Sequence, residues 1–509
     1  MKVRRRSCSV KGVTPACSLR GQMLMSRLER ARSAMTCCVR MGLESPPYEP
    51  TLESLRRHPL PAWYQHAKLG IFVHWGLYSV PGWAATRQAP YRLIAEGGFD
   101  KYFRENPYAE WYLNTLKFDE GPTRAYHNRT YGTHFVYEDF QPIFEHETQQ
   151  WVPDDWAELF QQAGAGYVVL TAKHVDGYLL WPSQVGNLAR PGYQSKRDLV
   201  GEFAAAARAR GLHAGLYYSG GMDWLLNPER IDAPEKIYST ILDGPQYVAY
   251  ADAHWRELID RYRPSVLWGD IMYPPGANTL ELFADYYNRA PEGVINDRFA
   301  TQFTPPRMLG LQPPGMHYDF LTPEYTSFDE IQAEKWETCR GISNSFGYNQ
   351  TDDETSYLSA ATVIRMLVDI VSKNGNLLLN VGPRADGSIH ELQRQCLLGL
   401  GAWMEVNGEA IRGTRPWSRA ESTTACGVPV RFTRKERALY ALLLGTPREV
   451  EVRIQGMRAT AGSEVRLLGH NERLEWRQSG EDLIVRLPAP LPDQPVHALR
   501  MAPPRSGAS

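Results

Sequence analysis

Five clusters of chemically capable residues each follow a short apolar run: His74-Trp75, Lys173-His174 with Asp176, Tyr217-Tyr218-Ser219 with Asp223-Trp224, Asp270, and Asn296-Asp297-Arg298. Acids, imidazoles and aromatic rings in this mixture suit a saccharide site, where flat rings stack on a sugar face and paired donors or acceptors read its hydroxyls. Any single ring among the 14 Trp and 27 Tyr serves equally well to fill a large core. His74, His174 and His213 could meet in space, but none belongs to an i, i+4 pair of the HExxH kind, so no metal and no cofactor is expected. No G-x-S-x-G elbow is present to present a nucleophilic serine. Paired carboxylates remain, and they fit glycoside hydrolysis, in which two acids flank the bond to be cut.

What must position these residues is a repeated pattern of strand, polar turn and helix. Ile71-Phe72-Val73 ends at His74, and Tyr167-Val168-Val169-Leu170-Thr171 leads to Lys173. Ala214-Gly215-Leu216-Tyr217-Tyr218, Val266-Leu267-Trp268, Val294-Ile295 and Asn376–Val381 read as further strands. Between them, residues 153–163, 197–210, 280–289 and 357–371 have helical spacing, the first opening with Pro153-Asp154-Asp155. Apolar strands alternating with amphipathic helices predict a parallel sheet, and their number favours a closed barrel over an open sheet. The clusters would then stand at the C-terminal ends of barrel strands, where such folds keep their chemistry. After Trp417 short alternating segments appear (428–432, 438–443, 449–454, 483–487), the pattern of a β-sandwich. The expected fold is α/β: a (β/α)8-like TIM barrel over 46–415, then an all-β sandwich over 416–502, with 1–45 a disordered extension and 503–509 a disordered tail.

The totals exclude several classes. The formal net charge is -1 across 509 residues, which gives no basic face for nucleic acid. No run of about 18 apolar residues predicts a membrane span. Four of the seven Cys fall at 8, 17, 37 and 38, a spacing that makes neither a disulfide framework nor a zinc site. The run Arg4-Arg5-Arg6 is followed by no uninterrupted apolar stretch, because Arg20, Arg27, Arg30 and Arg32 break each candidate. A cytoplasmic location is expected, and a start at Met23, Met25, Met35 or Met41 is an alternative.

Several ordered runs together resemble the α-L-fucosidases of glycoside hydrolase family 29. They are WYQHAKLGIFVHWGLYSVPGW from Trp63, YVVLTAKHVDGYLLWPS from Tyr167, GLYYSGGMDW from Gly215, VLWGD from Val266, KWETCRGISNSFGY from Lys335, NGNLLLNVGPRADG from Asn374 and AWMEVNGEAI from Ala402. The resemblance spans about residues 48–415 and implies a barrel with a C-terminal β-sandwich and a retaining mechanism. It implies that Asp270 is the nucleophile and Glu324 the acid/base, with Glu337 as the alternative acid. His74, His174, Glu110, Trp111, Tyr217, Trp268 and Arg298 match positions that bind the sugar or line its pocket; Arg298 resembles the arginine near the nucleophile, with a salt bridge to Asp297 as its alternative.

One position departs from the family pattern. Where it often reads Lys-His-His-Asp-Gly, this chain has Lys173-His174-Val175-Asp176-Gly177, which removes an imidazole. The implied function is therefore a retaining exo-α-L-fucosidase acting on fucosylated oligosaccharides or glycoconjugates. The alternatives are a glycosidase for another fucose-configured sugar, such as an L-galactoside, and a non-catalytic fucose-binding protein. No nucleic acid or membrane partner is expected; homo-oligomerisation, linkage preference and aglycone are left open.

Overall fold

The computed structural model of the protein describes residues 48–302 and 315–503. The extension expected over 1–45, with its four Cys and alternative starts, lies outside the described residues, as does the tail beyond Pro503. The chain divides into Met1–Glu49 and Pro50–Ser509; the described residues belong to the second unit except for Tyr48 and Glu49.

Seven parallel strands form the central sheet: β1 Leu69–Val73, β2 Tyr167–Lys173, β3 His213–Ser219, β4 Val266–Asp270, β5 Val294–Ile295, β6 Trp336–Gly341 and β7 Gly375–Val381. Their order is β5-β4-β3-β2-β1-β7-β6. They are buried along nearly their whole length, which is why most read as continuous apolar runs rather than alternating ones. Helices α1 Pro153–Gln162, α2 Leu199–Ala209, α3 Pro245–Tyr262, α4 Thr279–Arg289, α5 Ala360–Ser372 and α6 Glu391–Asn407 alternate with the strands. Caps set two starts later than the periodicity predicts: Asp198 accepts from the Gly201 N–H at 2.9 Å, and Ser359 from Thr362 at 3.2 Å.

Eightfold closure is not made by a regular strand. The gap between β5 and β6 is crossed by the extended segment 319–325, tied by single-residue bridges Asn296 to Phe320, Leu321 to Trp336 and Glu324 to Cys339. Pro323 interrupts that segment and has no N–H to donate, so a continuous ladder cannot form there. Asp319 anchors its start, receiving the Ile295 N–H at 2.7 Å and the Tyr287 hydroxyl at 2.7 Å.

Inside the barrel lie Tyr64, Phe72, Tyr167, Tyr217, Trp268 and Phe320. Glu337 is fully buried among them, accepting from Tyr64 Oη at 2.9 Å, Trp268 Nε1 at 2.9 Å and the Tyr167 hydroxyl. Lys173 and Asp223 form a second buried polar group. Lys173 Nζ lies 3.4 Å from Asp223 Oδ2 and donates to the carbonyls of Ser219 and Met222, each at 3.2 Å. Lys173→Met would strand the Asp223 carboxylate and is expected to lower unfolding free energy by about 3–5 kcal/mol. Denaturant melts of Lys173→Met, Asp223→Leu and the double variant check this, since the double variant should recover much of the loss.

The C-terminal strands are β8 Arg415–Thr423, β9 Pro429–Lys435, β10 Ala438–Leu443, β11 Glu451–Ile454, β12 Glu464–Leu467, β13 Trp476–Ser479, β14 Asp482–Arg486 and β15 His497–Ala502. They make a five-stranded sheet, β12-β15-β10-β9-β8, and a three-stranded sheet, β11-β14-β13, around Val430, Phe432, Val452, Ile454, Leu483, Val485 and Leu499. Helix α5 joins this region to the barrel: Asp369 accepts from Arg431 Nε of β9 at 2.6 Å. Among the described residues no helix is long and apolar enough to cross a membrane.

Candidate active site

A cavity of about 800 Å³ opens at the C-terminal ends of the barrel strands. Its lining includes His74, Glu110, Trp111, His174, Tyr217, Trp268, Asp270, Arg298 and Glu324. Every residue that the resemblance assigned to the site therefore borders this one space, except the alternative acid Glu337; of the strand-end clusters, Trp75, Lys173, Asp176, Tyr218, Ser219, Asp223, Trp224 and Asn296 do not line it. Glu337 lies in the barrel interior with its carboxylate held by two tyrosines and Trp268.

Arg298 organises the two acids. Its Nε donates to Thr322 Oγ1 at 2.8 Å and its Nη2 to the Thr322 carbonyl at 3.0 Å, which fixes the plane of the guanidinium. Nη1 then donates to Asp270 Oδ1 at 2.8 Å and to Glu324 Oε2 at 3.4 Å. The guanidinium lies 4.7 Å from the centre of the Trp268 ring, a cation–π contact that holds it from below. Arg298 thus pairs with Asp270 and Glu324, while the acid of Asp297 accepts from the Thr322 hydroxyl.

Asp270 closes β4, where its register partner on β3 is Ser219. Its second oxygen, Oδ2, accepts from Tyr217 Oη at 2.9 Å. Tyr217 stacks between Trp268, at 5.6 Å, and His174, at 5.7 Å. Glu324 belongs to the segment that closes the barrel, so the irregular eighth position places an acid opposite β4. Its side chain keeps 37% of its surface open to the cavity. The surrounding protein raises its pKa by desolvation; the Arg298 charge opposes that and the Asp270 charge reinforces it.

The imidazoles are neutral. Burial brings the pKa of His74 down to about 4, against the opposing pull of Asn380 and Asp270. Asn380 Nδ2 donates to the Phe346 carbonyl at 2.7 Å, so its Oδ1 faces His74 Nδ1 at 2.7 Å and takes that proton. This assigns the hydrogen to Nδ1 and leaves Nε2 as an acceptor. Burial likewise holds the His174 pKa well below normal, with His74 and Lys173 adding to the effect. Its Nδ1 is buried without a protein partner.

Glu110 sits in a single turn, Ala109–Trp111, nearly sealed from water, and accepts from the Gly347 N–H at 2.7 Å. Burial pushes its pKa up to about 7, although the backbone donors pull the other way. Trp111 meets Trp224 edge to face at 5.4 Å.

Two sequence expectations change. Val175 is buried with Phe103, Phe118, Met222 and Trp224 and is absent from the cavity wall. His213 starts β3 and stacks on Trp63 at 3.9 Å, at the end of the sheet opposite His74 and His174, so the three rings do not meet. Among the described residues no three His, Cys, Asp or Glu side chains converge as metal ligands.

Several site residues carried no clear sequence signal. Thr322 and Tyr102 lie in stretches without motif, and Asn380 and Phe346 sit inside motifs that looked purely structural.

The chain is similar to known proteins along most of its length. The sequence profile described as Alpha-L-fucosidase matches residues 36–409, and that described as Alpha-L-fucosidase C-terminal domain matches 424–501. The tissue alpha-L-fucosidase of Bos taurus is 34% identical over 463 residues, covering 87% of this chain and 88% of its own. The Branchiostoma floridae alpha-L-fucosidase is 33% identical, covering 90% and 96%. Among solved structures, the Thermotoga maritima alpha-fucosidase in complex with a mechanism-based inhibitor superposes with a TM-score of 0.79 at 41% identity, covering 89% of this chain and 100% of that one.

Proposed function

The chain belongs to the α-L-fucosidases of glycoside hydrolase family 29, and from that premise we propose that it is a retaining exo-enzyme. It would remove terminal α-L-fucose from glycans or glycoconjugates by double displacement. The observation that carries the proposal is the single Arg298 Nη1 that reaches both Asp270 Oδ1, at 2.8 Å, and Glu324 Oε2, at 3.4 Å. Two oxygens on one nitrogen can be no further apart than those lengths laid end to end. That closeness supports the roughly 5–5.5 Å carboxyl spacing of retaining pairs over the wider, roughly 6.5–9.5 Å, spacing of inverting ones.

In the first step a carboxylate oxygen of Asp270 attacks the anomeric carbon as the bond to the leaving oxygen breaks, and Glu324 delivers its proton to that oxygen. In the second, Glu324 takes a proton from water, the water oxygen attacks the anomeric carbon, and Asp270 leaves as carboxylate. Arg298 and Tyr217 each donate to Asp270 and aim its carboxylate, and the raised pKa of Glu324 favours its protonated form. His74 Nε2, the unpartnered His174 Nδ1 and Glu110 supply acceptors and donors for sugar hydroxyls, with Trp111 and Trp268 as apolar walls. The inhibitor bound to the Thermotoga relative is described as mechanism-based, which suits a covalent route.

Proton NMR of 4-nitrophenyl α-L-fucoside during hydrolysis tests the stereochemistry. The α-anomer of fucose should appear first and the β-anomer only by mutarotation; β first would end the double-displacement proposal. The L-galactoside alternative drew its motive from Val175, which the cavity does not contact. The non-catalytic alternative required Glu324 to stand apart from Asp270, whereas both reach Arg298.

A further inference from the structure

The cavity rests on two different foundations. Phe72, Tyr217, Trp268 and Phe346 in its wall belong to the barrel's aromatic interior and carry the polar set: His74, His174, Asp270 and Arg298. Tyr102, Ile237, Ile241 and Ile271 instead pack on a separate apolar cluster of Phe103, Phe118, Val175, Met222, Trp224 and Ile231. Asp270 and Ile271 are consecutive, so the boundary between the halves runs beside the nucleophile.

Local structure makes this second wall continuous. Ile237 lies in the helix Pro234–Ser239 and Ile241 follows one turn later, where the Leu242 N–H donates to the Gly221 carbonyl at 2.8 Å. Gly221 is required there: a Cβ would stand 2.4 Å from the Ile271 carbonyl and 3.0 Å from Ile241 Cδ1. Ile271 and Met272 both have left-handed backbones, with φ of 51° and 65°, uncommon outside glycine and rarest for a β-branched residue such as Ile271. This turns the chain sharply after Asp270 and sets both side chains in the cavity lining. The wall offers no charge; its polar atoms are the hydroxyls of Tyr102 and Tyr238, while Gln302 and Thr326 follow β5 and Glu324. A cavity of about 800 Å³ also lies toward the upper end of the roughly 300–1,000 Å³ of pockets that enclose drug-sized ligands, which leaves room beyond one monosaccharide.

We infer that Tyr102, Ile237, Ile241, Ile271 and Met272 form an apolar leaving-group subsite, built for an alkyl or aryl aglycone rather than for a second hydrogen-bonded sugar. The inference rests on the fucoside-hydrolase reading, because it takes the fucose ring to occupy the polar half.

Methyl, propyl and hexyl α-L-fucosides test it, since their leaving alcohols are of nearly equal basicity and differ in apolar length. The kcat/KM for the hexyl glycoside should exceed that for the methyl by about tenfold or more, the worth of roughly two buried methylenes. In Ile237→Ser/Ile241→Ser that ratio should fall toward one. A wild-type ratio near one overturns the subsite, as does a variant that folds and keeps the full ratio. Calorimetric binding of the same glycosides to an Asp270→Gly variant separates the two readings. Hexyl bound no tighter than methyl sinks the apolar wall, whereas graded binding with no turnover of any glycoside by the wild type sinks the hydrolase reading alone.

Discussion

Asp270→Gly is expected to lower kcat on 4-nitrophenyl α-L-fucoside by on the order of ten-thousand-fold or more, because the variant lacks the group that forms the covalent intermediate. The rest of the site should stand. Arg298 keeps its two bonds to Thr322, Tyr217 stays stacked between His174 and Trp268, and β4 continues its pairing through Leu267 and Trp268. Glycine also leaves room where the carboxylate was. Added azide should enter that room, attack the same face of the anomeric carbon and give β-L-fucosyl azide with partial recovery of rate. A variant within tenfold of wild type, or one that azide leaves unchanged while its thermal unfolding matches wild type, removes Asp270 from the nucleophile's role. Loss of the carboxylate also frees one guanidinium nitrogen to turn wholly toward Glu324, which should lower the pKa of that acid.

How far the sequence revealed this arrangement depends on what each element buries. β1, β2, β3 and β7 are covered on both faces, so their apolar runs announce them, and the clusters after them mark the barrel's working end. β6 stayed hidden because Trp-Glu-Thr-Cys-Arg-Gly reads as a surface segment. Its acid is in fact enclosed by Tyr64, Tyr167 and Trp268, partners brought from 273, 170 and 69 residues away. The closing segment 319–325 has no periodicity of its own; it is extended because β5 and β6 flank it, and only that placement sets Glu324 across from Asp270. Resemblance supplied Glu324 where spacing could not. It also suggested that Val175 cost the site a contact, yet adjacent residues need not share a surface: His174 meets the cavity and Val175 the apolar cluster behind it. The clamp of Arg298 on Thr322, 24 residues onward, has no sequence signature at all.

Glu324→Gln should separate substrates by how much they need a proton. An alkyl fucoside departs only with acid help and should lose about 10²–10⁴-fold in kcat/KM. A 2,4-dinitrophenyl fucoside, whose leaving group is stable as an anion, should lose little in that first step. The pH profile carries the same assignment. Burial chiefly, with the Asp270 charge in support and Arg298 in opposition, raises the Glu324 pKa above the usual value near 4.3. The acid works while protonated, so wild-type kcat/KM on the alkyl fucoside should be full below the raised pKa and fall as pH climbs through it. Glutamine has no proton to lose, and the basic limb should vanish. Glu337→Gln provides the contrast: an amide oxygen can still accept from the tyrosines that hold Glu337, and the limb should stay where it is. Equal losses on both fucosides, or a basic limb that moves with Glu337 and not with Glu324, would transfer the proton donor's role away from the closing segment of the barrel.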